Sequence, residues 1–150
     1  MTILPTRCVV DASAGIKMIL EEEHSDIVRQ YFGHLAFMPP LLIYVPDLFF
    51  VECANILWKK VRRGEVTLAD SQIGLAWLSA LNLPITSTSV LSEQAVSIGC
   101  TFGITAYDAT YVALAEQINL PLLTADNRLA KALTGSRFQV ITLDDVATSS

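Results

Sequence analysis

The stretch Cys8-Val9-Val10-Asp11-Ala12-Ser13 places a carboxylate directly after a short apolar run. The run predicts a buried β-strand over Arg7–Val10, and Ser13 can cap a helix that continues to Leu20. Ligands of open α/β sheets bind beyond the carboxyl ends of the strands. We therefore expect Asp11 at the ligand-binding edge of a sheet, with a simple helix-capping role as the alternative.

The rest of the chain alternates short apolar runs with segments whose apolar residues recur at helical spacing. Further strands are predicted at residues 42–45, 83–85, 119–124 and 138–143, and helices at residues 25–35, 49–61, 67–78, 89–99, 105–117 and 127–133. This alternation predicts an α/β fold with a mostly parallel central sheet of four to five strands flanked by helices. Asp144 and Asp145 are expected in a turn after the last strand.

The size and composition of the chain indicate one domain with a large core. A chain of 150 residues is expected to form a single domain, residues 1–150, that buries roughly 70% of its unfolded surface. Hydrophobic residues make up 52% of the sequence, which fits either a sheet covered on both faces or a surface that binds a partner. The longest apolar stretch, residues 35–46, is interrupted by Pro39 and Pro40, so no membrane segment is predicted.

The charge and cysteine content narrow the class of function and the compartment. Ten Lys and Arg against fifteen Asp and Glu give a net charge of -5, which argues against nucleic-acid binding by bulk charge alone. A metal-dependent phosphodiesterase stays compatible, because a cation reverses the local field of an acidic site. Cys8, Cys53 and Cys100 are far apart in apolar stretches, and we expect buried thiols in a reducing, cytoplasmic compartment.

Three further acids are predicted at the same edge of the sheet as Asp11. Asp126 directly follows a predicted buried strand, and Asp108 and Glu52 lie within the first two turns of predicted helices. Helices that follow parallel strands begin at the carboxyl edge, so the four carboxylates are expected to converge on one cleft. The alternatives are a helix-terminal role for Asp108, a solvated face for Glu52, and a turn or N-cap for Asp126.

Convergence of four carboxylates has a cost that a proton or a cation must offset. Two carboxylates about 4 Å apart repel by roughly 4 kcal/mol at an effective dielectric constant near 20. Magnesium or manganese suits an all-oxygen set of ligands. Zinc does not, because His24 and His34 lack ligand spacing and the cysteines are scattered. Ser13 has no identifiable histidine base, so a capping or orienting role is favoured over a nucleophilic one.

Four sequence segments, taken in order, link the chain to a known family. They are Val10-Asp11-Ala12-Ser13 followed by Lys17, then Glu52-Cys53-Ala54-Asn55-Ile56-Leu57, then Tyr107-Asp108-Ala109-Thr110-Tyr111-Val112-Ala113-Leu114-Ala115, and Thr124-Ala125-Asp126-Asn127-Arg128-Leu129. Each segment alone is weak, whereas the ordered set is specific. With these segments the chain resembles PIN-domain proteins of the VapC toxin type from about Arg7 to Leu143. The resemblance implies a PIN-like three-layer fold.

The resemblance also implies a magnesium- or manganese-dependent endoribonuclease, usually the toxin of a VapBC-like type II toxin–antitoxin pair. Position by position, the family's catalytic, metal-binding acids match Asp11, Glu52, Asp108 and Asp126, and supporting positions around them match Ser13, Asn55 and Thr124. One or two divalent ions would activate a water for in-line attack on an RNA phosphodiester. Asp11 and Asp108 are expected as direct ligands, and Glu52 and Asp126 partly through waters.

Basic residues that are candidates for RNA binding are few. Lys59, Lys60, Arg62 and Arg63 form the only dense basic patch of the sequence, and Lys17 lies one helical turn after Ser13. The patch has an alternative role in compensating the dipole at a helix C-terminus, and Lys17 has one as a solvated surface charge. If the patch guides phosphates, salt is expected to weaken substrate binding.

Protein partners are implied by the same resemblance. VapC-like proteins typically form homodimers and bind a cognate antitoxin whose basic tail enters the acidic site. An arginine among the carboxylates would compete with the metal and so inhibit the enzyme. The chain departs from the family pattern at residues 37–44, where the connection before the second strand is longer than usual.

Two rival functions require residues that this chain lacks, and a third does not. A phosphoacceptor signalling domain needs adjacent acids after the first strand and a lysine after the last, and neither is present. An aspartyl phosphatase needs Asp-x-Asp, but Ser13 occupies the second position. A non-catalytic PIN-fold module that binds protein and keeps the acids for structure is the alternative that the sequence leaves open.

Overall fold

The computed structural model describes residues 4–36 and 41–149 of the chain. Within these residues, five strands form one parallel sheet in the order β3-β2-β1-β4-β5. The strands are β1 Arg7–Val10, β2 Leu42–Pro46, β3 Ile85–Thr86, β4 Leu122–Thr124 and β5 Val140–Thr142. The predicted α/β fold with a central parallel sheet is therefore confirmed.

Helices connect consecutive strands, as parallel pairing requires. They are α1 Ala12–Gly15, α2 Ser25–Gly33, α3 Leu48–Arg62, α4 Leu68–Ser79, α5 Ser92–Phe102, α6 Ala106–Ile118, α7 Asn127–Ala132 and α8 Leu143–Ala147, with short 3-10 turns at Ile16–Met18, His34–Ala36 and Thr88–Val90. Among the described residues no helix is both long and apolar enough to cross a membrane.

The core lies around the central strand β1 and the helix α6. Cys8, Val9 and Val10 are fully buried in the central strand β1, which helix α6 covers on one face of the sheet. Within the sheet, Val9 pairs with Tyr44 on β2 and with Leu122 on β4. Helix α6 is buried continuously over residues 109–115. The apolar run in this helix therefore packs inside the molecule, which accounts for part of the high hydrophobic content.

Three local predictions differ from the structure. The helix expected to reach Leu20 is α-helical only to Gly15 and then tightens into a 3-10 turn. Asp144 and Asp145 lie in helix α8, because Thr142 and Asp145 form a capping box that starts a helix directly after β5. The long connection at residues 37–44 lies partly outside the described residues, since residues 37–40 are not described.

The cysteines are free thiols, as predicted, but they are not all buried. Cys8 and Cys53 are buried in the core, whereas Cys100 is exposed on α5. The burial of this helix is confined to one face, on which Ala95 and Ile98 pack inward. Cys100 lies outside that face, so the apolar character of its segment did not determine its position.

Candidate active site

Asp11 leaves the carboxyl end of the central strand and begins helix α1. Its Oδ1 accepts hydrogen bonds from the Ala14 N–H at 3.0 Å and from the Ser13 hydroxyl at 2.6 Å. Its Oδ2 accepts one from the Thr124 hydroxyl at the end of β4. Asp11 is therefore both the N-cap of α1 and an acid at the sheet edge, and only 4% of it is exposed.

Ser13 and Thr124 join the two central strand ends into one unit. While both hydroxyls donate to Asp11, their oxygens accept backbone N–H groups: Ala125 donates to Ser13 Oγ and Asp126 to Thr124 Oγ1, each at 3.0 Å. These contacts fix the loop after β4 against the start of α1. The position of Asp126 relative to Asp11 is thus set by two hydroxyl groups that bond to both segments.

Asp126 caps the next helix. Its Oδ1 accepts hydrogen bonds from the N–H groups of Arg128 at 2.9 Å and Leu129 at 3.2 Å, at the start of α7. The Arg128 side chain returns toward the same oxygen, with its Nε 3.8 Å away, and is 96% exposed. The N-cap role weighed for Asp126 is confirmed, and the cap holds its carboxylate beside the loop that Ser13 and Thr124 fix.

Glu52 and Asp108 are supplied by the two long helices α3 and α6. Glu52 is half-buried, and its Oε1 accepts a hydrogen bond of 2.6 Å from the hydroxyl of Tyr111. Tyr111 follows Asp108 by three residues on α6, so the two lie on one face of that helix. Thr105 caps α6 by accepting the Asp108 N–H at 3.1 Å.

The pKa values of the site acids report burial and mutual repulsion. Burial raises the pKa of Asp11 to about 6, the charge of Asp108 adds to this increase, and the hydrogen bonds from Ser13, Thr124 and Ala14 oppose it. Burial and the Asp108 charge also raise the pKa of Glu52. The pKa of Asp108 is raised by burial and by the charge of Asp126. Asp108 therefore interacts with each of the other three acids.

The donor chemistry of this group suits a hard divalent cation. All four side chains offer carboxylate oxygens, and the raised pKa values of Asp11, Glu52 and Asp108 express a cost of ionisation that a cation would relieve. In residues 4–36 and 41–149, no three His, Cys, Asp or Glu side chains form a ready-made ligand cluster. Magnesium is commonly held by only one or two carboxylates and keeps several waters, so the residues fit such an ion.

Two residues that the sequence analysis did not single out belong to this group. Tyr111 binds Glu52, and its spacing from Asp108 by one helical turn was the available signal. Arg128 lies beside Asp126 and lowers the pKa of Asp108, against the larger effects that raise it. Asn55, predicted as a supporting residue, is exposed on α3, and its side chain makes no hydrogen bond within the described residues.

The candidate RNA-binding cations divide into paired and unpaired side chains. Lys17 is buried and pairs with Glu22 at 3.3 Å, and Lys60 pairs with Glu22 at 3.1 Å and with Glu65 at 2.9 Å. Arg63 pairs with Glu65 at 3.4 Å. Lys59 and Arg62 have no ion pair in the described part of the chain, and the guanidinium of Arg62 lies over the Trp58 ring.

Comparison with known proteins identifies the family. The PIN domain family matches residues 8–133. Ribonuclease VapC3 of Pyrobaculum aerophilum is 35% identical over 127 residues, which cover 83% of this chain and 93% of that protein. Ribonuclease VapC9 of Mycobacterium tuberculosis is 34% identical over 125 residues, which cover 81% of this chain and 87% of that protein.

Solved structures share the fold at lower identity. A crystal structure from Pyrobaculum aerophilum aligns with a TM-score of 0.71 and 22% identity, covering 95% of this chain and 88% of that one. VapC20 of Mycobacterium tuberculosis, a toxin that cleaves the sarcin-ricin loop, aligns with a TM-score of 0.61 and 14% identity, covering 83% and 94%. The chain therefore belongs to the PIN-domain family and is a homologue of the VapC ribonucleases.

Proposed function

We propose that the chain is a single PIN-like domain, residues 1–150, that acts as a magnesium- or manganese-dependent endoribonuclease, the toxin of a VapBC-like pair. The observation that carries this proposal is the hydrogen-bonded unit at the carboxyl edge of the sheet, in which Ser13 and Thr124 hold Asp11 beside the loop of Asp126. The charge of Asp108 acts on Asp11 and Glu52, and the charge of Asp126 acts on Asp108. The homologues named as ribonucleases supply the reaction class. The four carboxylates would hold the divalent metal ion.

In this proposal Asp11 and Asp108 ligate the ion directly, and Glu52 and Asp126 act partly through waters. A bound divalent ion lowers the pKa of a coordinated water and stabilises the charge that develops on phosphoryl oxygens. Ser13 and Thr124 hold the Asp11 carboxylate at a fixed angle through their hydroxyl groups. Tyr111 does the same for Glu52. The exposed guanidinium of Arg128 is available to a phosphate beside the acids.

Cleavage of an RNA panel with magnesium, manganese or EDTA tests the proposal. Asp11→Asn and Asp108→Asn are each expected to reduce cleavage by at least about 100-fold, because an ion ligand supplies several kcal/mol of transition-state stabilisation. Both variants are expected to fold, since loss of one charge relieves repulsion. Asp26→Asn is the matched control, because Asp26 is an exposed acid on α2 outside the site. Cleavage that persists in EDTA or in both variants would contradict the mechanism.

The same panel separates this function from the non-catalytic alternative. A protein-binding module that keeps the acids for structure would cut no RNA with either metal. Its Asp11→Asn and Asp108→Asn variants would still bind the partner. Metal-dependent cleavage by the unaltered chain, lost in both variants, favours the nuclease.

A homodimer and a cognate antitoxin are the partners that we propose, with the cytoplasm as the compartment. Complexes of VapBC from Salmonella typhimurium and of a toxin–antitoxin pair from Klebsiella pneumoniae share the fold, at TM-scores of 0.56 and 0.60. An apolar cavity of about 540 Å³, lined in part by Phe32, Leu35, Trp77 and Leu81, is a candidate groove for an antitoxin helix. An antitoxin arginine placed among the carboxylates would replace the ion. Full metal-dependent cleavage in the presence of the antitoxin would contradict this inhibition.

A further inference from the structure

An exposed stripe runs along helix α3 away from the acidic site. We define the α3 stripe as Val51, Asn55, Trp58 and Arg62, four exposed residues whose spacing places them on one face of the helix. It begins next to Glu52. At a rise of 1.5 Å per residue, Arg62 lies about 15 Å along the helix axis from Glu52.

The far end of the stripe forms a shallow cradle. Trp58, Lys59, Arg62 and Arg63 line a cavity of about 280 Å³ at the C-terminus of α3, and we call these four residues the α3 cradle. The Arg62 guanidinium lies 5.1 Å from the centre of the Trp58 ring. Trp58 is 52% exposed, so a large aromatic surface is in contact with solvent. Exposed aromatic area of this kind is characteristic of binding surfaces.

Two of the three cations of the cradle, Lys59 and Arg62, form no ion pair within the described residues. The neighbouring Lys60 is neutralised by Glu22 and Glu65, and Arg63 is paired with Glu65. Lys59 and Arg62 have no acidic partner in the described residues, in a chain whose net charge is -5. Compensation of the helix dipole accounts for cations at a C-terminus. Dipole compensation does not account for the exposed Trp58 ring that lies against the guanidinium of Arg62.

We propose that the α3 cradle binds a single-stranded segment of the RNA substrate beyond the cleavage site. A base stacks on the adjoining planes of Trp58 and Arg62, and phosphates next to it contact Lys59 and Arg62. An aromatic ring beside guanidinium and ammonium groups is the combination used for unstacked nucleotides, whereas an acidic peptide needs only the cations. The proposal rests on the proposed ribonuclease function and assigns a substrate contact to a surface remote from the acids.

Tryptophan fluorescence can observe this contact directly. The sequence contains two tryptophans, so Trp77→Phe leaves Trp58 as the single reporter. Asp11→Asn in the same chain prevents cleavage during the titration. Oligoadenylate RNA is expected to change the Trp58 emission in a saturable manner, and added salt is expected to weaken the binding. An unchanged emission at saturating RNA, as measured by RNA anisotropy, would overturn the proposal.

Variants of the cradle give an independent test in the cleavage assay. Trp58→Ala is expected to raise KM by about 5- to 150-fold with kcat unchanged, because stacking on one base contributes about 1–3 kcal/mol. Trp58→Phe is expected to keep most of the affinity for RNA. A Lys59→Ala, Arg62→Ala double variant is expected to reduce the salt dependence of RNA binding. Lys131→Ala is the matched control, since Lys131 is another exposed lysine without an ion pair in the described residues.

The outcomes distinguish this inference from the proposed function. If the unaltered chain cuts RNA with metal and Trp58→Ala cuts with the same KM, the cradle inference is wrong and the nuclease stands. If RNA changes the Trp58 emission but no RNA is cut, the nuclease proposal fails and the cradle stands. An oligoglutamate peptide that alters the emission as strongly as RNA would instead assign the cradle to an acidic peptide. A changed oligomeric state in Trp58→Ala would assign it to a second copy of the chain.

Discussion

Asp11 is an acid in a place where ionisation is costly. It is buried at the end of the central strand, and the hydroxyl groups of Ser13 and Thr124 and the Ala14 N–H only partly replace its lost water. The result is a pKa of about 6 instead of the ordinary value near 3.8. This penalty indicates that Asp11 has a role besides capping α1, because a solvated aspartate or an asparagine would cap the helix equally well.

This raised pKa predicts how the stability of the metal-free protein depends on pH. Well below the ordinary pKa of 3.8, Asp11 is protonated in the folded and the unfolded chain and imposes no penalty. As pH rises from about 4 through 6, only the unfolded chain ionises freely, so the free energy of unfolding falls by about 3 kcal/mol and changes little above pH 7.

Urea unfolding in EDTA at several pH values measures this effect. The comparison is between the unaltered chain and Asp11→Asn, because other acids, such as Glu22 and Asp144, have lowered pKa values and act with the opposite sign. The stability of the unaltered chain relative to the variant is expected to decrease between pH 4 and 7. A relative stability that increases over this interval would contradict the assigned pKa.

At the scale of single elements, helix α7 depends on the acid that also belongs to the site. Asp126 accepts the Arg128 and Leu129 N–H groups and so caps a helix of only six residues. Asp126→Asn is expected to keep the cap and lose the charge, whereas Asp126→Ala loses both. Cleavage should fall in both variants, but the free energy of unfolding should fall by about 1 kcal/mol in the alanine variant alone. Equal stability of the two variants would show that the cap contributes nothing.

The contact between α1 and α3 sets the spacing of the site elements. A Cβ atom added at Gly15 would lie 2.5 Å from Cε2 of the buried Phe49 ring, closer than any real contact allows. Gly15→Ala is therefore expected to lower the free energy of unfolding by about 1–3 kcal/mol and to reduce cleavage, because α1 must move relative to α3. Chemical denaturation and the RNA assay measure both effects.

Gly33→Ala provides the matched control for this substitution. Gly33 ends helix α2, and an added Cβ there has nothing within 4 Å. The variant is expected to be as stable as the unaltered chain, or up to about 1 kcal/mol more stable, since alanine restricts the unfolded chain. A similar loss of stability in both variants would refute the packing explanation.

For the whole molecule, the acidic group couples metal binding to folding. An ion that binds only the folded state stabilises it by about 2.7 kcal/mol at a concentration 100 times its Kd. For a domain of this size that corresponds to a rise in Tm of about 5–10 °C with magnesium or manganese. The Asp11→Asn, Asp108→Asn double variant is expected to show no rise, and Asp26→Asn the full one. An equal rise in the double variant, at matched ionic strength, would place the ion elsewhere.

Much of the fold and part of the site follow from short-range patterns. The strand at Arg7–Val10, the start of a helix near Thr105 and the acids after β1 and β4 could be predicted, because each depends on neighbours in the chain. The helix that contains Asp144 and Asp145 could not be predicted, because an acidic pair after a strand fits a turn equally well. Its capping box is nevertheless formed by neighbouring residues. The exposure of Cys100 depends on which face of α5 packs inward.

Local sequence patterns were sufficient to predict the alternation of strands and helices and the placement of acids at strand ends, since periodicity and capping depend on neighbouring residues. Which side chains contact one another depends on the packing of the folded chain. Tyr111 binds Glu52 across 59 positions, and Ser13 contacts Thr124 across 111. The same holds for the cations, where Lys60 is neutralised by Glu22 while Arg62 is left beside Trp58. Such contacts join elements far apart in the chain, and no local pattern encodes the packing that brings them together.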